Sequence, residues 1–162
     1  MQYCCYCGKE LILKLLYDGS NEKYCQQCDH VFFDSPSPAI IVAVTNGSRI
    51  LLTRSIEWTH SYWGLIAGHV KSGETAERAT KREILEEVGI LIHNVTILRT
   101  FIHRKNLLMI AFEACTSEHK ITPSQELAAT TWFNLNEPLP LRPTSIASQV
   151  VRQLYPNMRL IS

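Results

Sequence analysis

The sequence predicts an α/β fold preceded by a small cysteine-stapled module, and three observations carry that prediction. Residues 39–45, 49–54, 90–102 and 107–115 are dense in β-branched and aliphatic side chains, as strands are. Residues 75–88 and 144–154 have helical composition, one between the strand pairs and one after them. Two Cys-x2-Cys pairs stand within the first 28 residues. Strands flanking a central helix, with a second helix at the end, form the pattern of layered α/β domains.

Composition sets the outer bounds. The 162 residues suffice for one domain with a short appendage. With 46% hydrophobic and 19% charged residues the chain is packed, not disordered. Sixteen Lys and Arg against fifteen Asp and Glu leave a net charge of +1, which excludes a broad cationic surface for duplex nucleic acid. The longest unbroken apolar runs, at 39–44 and 107–112, are six residues each, against about 18 needed to span a bilayer. The opening Met1-Gln2-Tyr3-Cys4-Cys5 has no basic flank followed by an apolar segment, so no signal peptide and a cytoplasmic, reducing location are expected.

Cys4-x2-Cys7 and Cys25-x2-Cys28 are separated by 17 residues, inside the window of a four-cysteine zinc site. Two pairs of thiolates on tight turns can place four sulfurs tetrahedrally at about 2.3 Å from Zn²⁺. Gly8 after Cys7 supplies the backbone freedom such a turn needs. Between the pairs, residues 11–17 predict a strand, 18–20 a turn, and Lys23-Tyr24 a returning strand. A segment this short cannot bury a core of its own, so a structural zinc would supply its folding energy. A disulfide pair and free buried thiols are the competing accounts. Cys5 is a bystander in this scheme, and Cys115, in an apolar stretch, is expected in the core.

The Asp34-Ser35-Pro36-Ser37-Pro38 stretch breaks helix and strand alike, dividing a ribbon over 1–34 from a main domain over 35–162. Beyond it, residues 39–45 and 49–54 predict a hairpin turned at Asn46-Gly47. Residues 55–73 are expected to be irregular. The helix over 75–88 has Thr75 as N-cap and Gly89 as its stop. Strands at 90–102 and 107–115 join through 103–106, and a short strand follows at 131–134. Prolines at 138, 140 and 143 mark a loop before the final helix, which Pro156 closes.

The central helix carries the chemistry. At about 100° per residue, Glu83, Glu86 and Glu87 project within an arc of about 100°, and Arg82 borders it. Carboxylates this close repel unless cations lie between them, and Mg²⁺ or Mn²⁺ prefers such hard oxygen ligands. A solvated acidic face is the plainer account of most charge runs. Ala76 and Ala79, on the same side one and two turns earlier, imply that a backbone segment approaches that face.

Gly68, Glu74, Arg82, Glu83, Ile84, Glu86, Glu87, Gly89 and Ile90 match every specified position of G-x5-E-x7-R-E-U-x-E-E-x-G-U, where U is a bulky aliphatic residue. The segment therefore resembles the Nudix box. The resemblance extends over about residues 36–155. It implies an α/β/α sandwich around a mixed sheet, and hydrolysis of a diphosphate linking a nucleoside to another group. By the same resemblance, Glu83, Glu86 and Glu87 would hold the catalytic metal, one of them serving as general base. Arg82 would orient the carboxylates, the Ala67 carbonyl would add a metal oxygen, and Glu74 would be a structural acid. The chemistry agrees, since metals held on carboxylates neutralise a pyrophosphate and acidify the attacking water.

A zinc ribbon before a Nudix domain resembles the NADH pyrophosphatase branch of that family, as does Ile66-Ala67-Gly68. Two features depart from the branch. Its Ser-Gln-Pro-Trp-Pro-Phe-Pro block has no counterpart in residues 99–109. Its loop glutamate before Trp132-Phe133 aligns with Ala129, and the nearest acid is Glu126, either a replacement ligand or base or a solvated loop residue. Trp63 is expected in the core, whereas Trp58 and Tyr62 are freer to stack on a base. His103, Arg104 and Lys105 suit either substrate phosphates or a polar hairpin loop, and His60 and His69 suit the surface.

The sequence thus predicts a Mg²⁺- or Mn²⁺-dependent Nudix pyrophosphohydrolase with a structural zinc ribbon, acting on a nucleotide-derived small molecule. An NAD(H) or NAD-capped RNA pyrophosphatase is the runner-up. A ribbon that docks nucleic acid or protein beside a weakly catalytic domain is the rival from another class. The intact carboxylate set argues against weak catalysis, and the near-neutral charge argues against strong RNA affinity. No membrane association is expected, and a homodimer is compatible with the sequence.

Overall fold

The computed structural model describes residues 1–104 and 106–161, in two compact units, Met1–Pro36 and Ser37–Ser162. In the first, β1 (Ile12–Leu15), β2 (Asn21–Cys25) and β3 (His30–Phe32) form an antiparallel sheet in the order β1-β2-β3. The third strand was not expected from sequence. Its residues His30, Val31 and Phe32 are too few to show a pattern, and pairing with β2 defines them as a strand.

In the second unit the element order is β4 (Ser37–Asn46), β5 (Arg49–Ser55), β6 (Ile66–His69), α1 (Ala76–Val88), β7 (His93–His103), β8 (Leu107–Cys115), β9 (Leu127–Asn134) and α2 (Ile146–Leu154). The sheet runs β7-β8-β4-β5-β9, with β6 added on β4. The β4–β8 pairing is parallel and the others antiparallel, so the sheet is mixed. No helix among the described residues is long and apolar enough to cross a membrane.

Strict alternation makes this unit a sandwich. Ile40, Val42 and Val44 of β4 pack with Phe112 and Ala114 of β8 against Ala79, Ile84 and Val88 of α1. Ile41 and Ala43, on the opposite face, pack with Met109 and Ala111 against Ala147, Val150 and Val151 of α2. A strand covered on both faces needs an unbroken apolar run, and β4 is that run.

Several boundaries differ from expectation. Strand β4 begins inside the stretch read as a breaker, at Ser37, whose N–H donates to the Asn106 carbonyl at 2.8 Å. Pro38 is tolerated because it sits at the strand's start and gives up only one ladder donor. Residues 55–73 are not wholly irregular, since β6 forms there by pairing with β4 from Ala39↔His69 to Val42↔Ile66. Residues 90–92 precede β7, with Ile90 and Ile92 buried in the α1-side core. Strand β9 starts at Leu127, four residues early, because it continues along β5 as far as Ser55. Cys115 is exposed, contrary to the core placement expected. It shares the alternation of Met109 and Ala111 but lies at the strand's end, past that cluster, with its thiol 3.6 Å from the Thr45 hydroxyl.

Ile84 is fully buried and ties α1 to the sheet. Ile84→Ala should therefore cost about 2–5 kcal/mol, read as a lower urea midpoint at unchanged slope.

Candidate functional site

Helix α1 is closed at both ends by its own sequence. The Thr75 hydroxyl accepts from the Arg78 N–H at 3.3 Å, and Gly89 ends the helix at φ 69°, donating to the Leu85 carbonyl at 3.1 Å. With Thr80, Ile84 and Val88 turned into the core, Glu83 faces strand β6. A Cβ on Gly68 would lie inside contact distance of the Glu83 carboxylate. Only glycine fits that approach.

Arg82 gathers the loop and the helix about one guanidinium. Its Nε and Nη2 donate to Glu74 at 3.1 and 2.6 Å, its Nη1 to Glu83 at 2.7 Å and Glu86 at 2.9 Å, and its Nη2 to the His69 carbonyl at 3.0 Å. Glu74 also accepts from the Lys71 N–H at 2.7 Å. The Arg82 fork, with that backbone donor, holds the Glu74 carboxyl down to about 2. Lys71 adds a looser contact to Glu86 at 3.7 Å between exposed side chains.

Glu87 has no such partner. Burial first, then the charges of Glu83, Glu126 and Glu86, push its carboxyl up to about 7. Glu126 reaches this neighbourhood through the segment that crosses the end of α1. There the Thr122 N–H donates to the Val88 carbonyl at 2.9 Å and the Ser124 N–H to the Glu87 carbonyl at 2.8 Å. Those bonds satisfy helix-end carbonyls. The Glu126 carbonyl accepts from the Ile56 N–H at 3.0 Å, so the residue is fixed between α1 and the segment after β5. Ala129 lies within β9, opposite Arg54.

The β6 register sets the direction of the Ala67 carbonyl. The Val70 N–H donates to the Pro38 carbonyl at 3.0 Å, so positions 70, 68 and 66 bond toward β4 and positions 69 and 67 point away from it. The His69 carbonyl, bound by Arg82, shows that direction, and the Ala67 carbonyl shares it.

A hard divalent cation suits this donor set, which combines carboxylates, a backbone carbonyl and one carboxyl destabilised by neighbouring negative charge. Among the described residues, the cysteines alone bring three or more ligand atoms together. The sulfurs of Cys4, Cys7, Cys25 and Cys28 lie within 4.8 Å of one another. Cys4–Cys28 and Cys7–Cys25 are 3.9 and 3.5 Å apart, close to the roughly 3.8 Å edge of a tetrahedron with 2.3 Å metal–sulfur bonds. Gly8 at φ 73° and Asp29 at φ 48° make the turns after each pair, and no cysteine is in a disulfide. Cys5 is exposed and outside the set. This cluster can hold a metal ion.

A cavity of about 400 Å³ opens beside Ala67, lined by Trp58, His60, Tyr62, Trp63 and, from the start of α2, Ser145. Trp63 is half-buried, edge-on to Phe133 with ring centroids 4.9 Å apart. Sequence reasoning missed Arg142 and Ser145, which also line this cavity. The one local signal was Ser145, whose hydroxyl caps α2 by accepting from the Ser148 N–H. His69 and Arg104 line a neighbouring cavity, and Lys105 lies outside the described residues.

A glycine strand laid against a helix of carboxylates, inside a two-layered α/β/α sandwich, matches the model of the Nudix domain over residues 35–154. The chain belongs to the Nudix family. Among characterised relatives it is 30% identical over 164 residues to the NAD-capped RNA hydrolase NudC of Pseudomonas fluorescens and 32% identical over 166 residues to that of Stutzerimonas stutzeri. Each match covers 98% of this chain and 57% of the relative, so the chain spans little more than half their length. The crystal structure of a Nudix hydrolase from Nitrosomonas europaea superposes with a TM-score of 0.77 at 18% identity, over 100% of this chain and 97% of that one. The Nudix domain of Shewanella oneidensis NrtR, solved with ADP-ribose, gives 0.59 at 16% identity over 81% and 94%. Both show the fold.

The raised Glu87 carboxyl has a stability signature. The folded metal-free chain binds this proton more tightly than the unfolded chain, whose value is near 4.5, so the group removes stability as pH rises from there toward 7. Glu87→Gln should therefore melt a few degrees higher than the parent at pH 8 in chelator, with the gain gone near pH 4.

Proposed function

We propose that this chain cleaves the pyrophosphate bond of a nucleoside diphosphate linked to another group, with Mg²⁺ or Mn²⁺ held by Glu83, Glu86, Glu87 and the Ala67 carbonyl. The observation that carries this reading is the Glu87 carboxyl, pushed up to about 7 among three neighbouring carboxylates. Such crowding is relieved by a divalent cation between the oxygens. Bound there, the ion would neutralise the diphosphate and acidify the attacking water.

The chain's own groups do the rest. Arg82 fixes Glu83 and Glu86 while Glu74 anchors Arg82. Glu126, on its braced loop, takes the proton from the water that attacks phosphorus. Trp58 and Tyr62, each more than a third exposed at the cavity mouth, stack on the nucleobase. Products are a nucleoside monophosphate and the phosphorylated other half. The ribbon of residues 1–34 binds one structural Zn²⁺ through Cys4, Cys7, Cys25 and Cys28, and its free thiols suit a cytoplasmic, reducing setting.

A second reading, hydrolysis of NAD(H) or NAD-capped RNA, is favoured by the relatives' names. Against it stands the β7–β8 hairpin, where residues 99–109 lack the Pro- and Trp-rich block.

Kinetics over NADH, ADP-ribose, dinucleoside polyphosphates, nucleotide sugars and nucleoside triphosphates test the reading. Glu86→Gln should lower kcat about 10²-fold on the best substrate and weaken Mn²⁺ binding, because it removes a metal oxygen. Glu126→Gln should lower kcat about as much with Mn²⁺ affinity unchanged, as befits a base. Parental kcat in either variant refutes its role.

The ribbon has its own test. Protein purified without chelator should carry one zinc per chain by elemental analysis. Cys7→Ser or Cys25→Ser should lose that zinc together with thermal stability.

A further inference from the structure

Strand β6 lies between two cavities of opposite character. Ala67 lines the aromatic one, and His69, two residues on and sharing its direction, lines a second of about 440 Å³. His103 and Met109 belong to both linings, so the two spaces meet at the β7–β8 hairpin. The second is a space of donors, furnished by the imidazoles of His69 and His103, the Arg104 guanidinium, the Ser37 hydroxyl and the Asn106 amide. No carboxylate lines it among the described residues.

The hairpin holds Arg104 in a conformation that arginine seldom adopts. Its φ is 50°, in the left-handed region favoured by glycine and asparagine, and its carbonyl accepts from the Asn106 N–H at 2.9 Å. Arg104 makes no ion pair among the described residues, whereas Arg82 meets three carboxylates. A guanidinium over a donor-lined cavity is matched by an oxyanion, which it can bind through two parallel hydrogen bonds.

We propose that His103 and Arg104 determine specificity by binding an anionic group on the half of the substrate beyond the diphosphate, with the nucleobase in the aromatic cavity. The substrate class is a nucleoside diphosphate whose second half carries its own phosphate or carboxylate, such as a sugar phosphate or sugar acid. The inference rests on diphosphate hydrolysis at the neighbouring carboxylates. It adds that a neutral second half, a nicotinamide riboside included, leaves the cavity's donors without their partner.

Matched substrates test it. ADP-ribose 1″-phosphate against ADP-ribose probes a distal phosphate, and UDP-glucuronate against UDP-glucose probes a distal carboxylate. Coenzyme A against its 3′-dephospho form, which differ on the nucleoside half, controls for a general preference for charge. At least one distal pair should favour its anionic member by about tenfold or more in kcat/KM, with the coenzyme A pair near parity. His103→Gln/Arg104→Ala should bring that ratio close to one while leaving kcat on the neutral member within about threefold of the parent. Parity in both distal pairs, an equal preference in the coenzyme A pair, or a ratio that survives the double variant overturns the proposal. Absence of turnover on every compound counts against diphosphate hydrolysis instead. Calorimetric Kd ratios for the same pairs then decide the cavity alone, about tenfold supporting it and parity overturning it.

Discussion

One guanidinium sets the geometry of the candidate site. Arg82 meets Glu74 through a two-pronged contact, reaches Glu83 and Glu86 from its other arm, and takes the His69 carbonyl as well. Loop, strand β6 and helix α1 therefore share one fixed point. Without that cation, Glu74, Glu83 and Glu86 would repel across the gap between loop and helix. With it, the mutual repulsion is concentrated on Glu87, which Arg82 does not reach. The division of labour among the acids follows from which of them the arginine satisfies: Glu74 is held ionised and Glu87 is held close to neutral.

That fixed point needs a rigid frame, and the frame is β4. It is paired with β5, β6 and β8, and its side chains alternate between the α1 and α2 layers. Gly68 couples frame to chemistry, since its missing side chain lets the Glu83 carboxylate lie against the strand. The Ala67 carbonyl is turned outward by the same register that turns Gly68 toward β4. Catalytic geometry and sheet pairing are thus one constraint seen from two sides. A one-residue slip of β6 would exchange the outward carbonyls for those that bond β4.

What was legible in the sequence was whatever local chemistry dictates. Four cysteines at knuckle spacing, an N-cap threonine, a C-cap glycine and a helix with acids three and four residues apart all declare themselves within a few residues. The small residues Ala76 and Ala79 announced a close backbone approach, and strand β6 supplies it. Strand β6 itself was hidden, because Ile66-Ala67-Gly68-His69 has little strand propensity and exists as a strand through β4. The length of β9 was hidden likewise, because β5 decides it. Cys115 misled for a related reason: an apolar run shows that a strand is buried, not where its cover ends. The cavities meeting at His103 join residues from β4, β6, the β7–β8 hairpin and the α2 entrance, a convergence with no trace in linear spacing.

The parallel pairing of β4 with β8 has a consequence for how the molecule comes into being. Ser37 meets Leu107 and Thr45 meets Cys115, a separation of 70 residues along the chain. Contacts of such high order form late in folding, because the loop they close must first be drawn in. On the ribosome, every residue of the carboxylate helix is synthesised well before the strand that completes the sheet beneath it. A nascent chain therefore carries the reactive residues in sequence without the surface that aligns them. The activity of this domain would arise as a single late event in its biogenesis, with no partly active precursor.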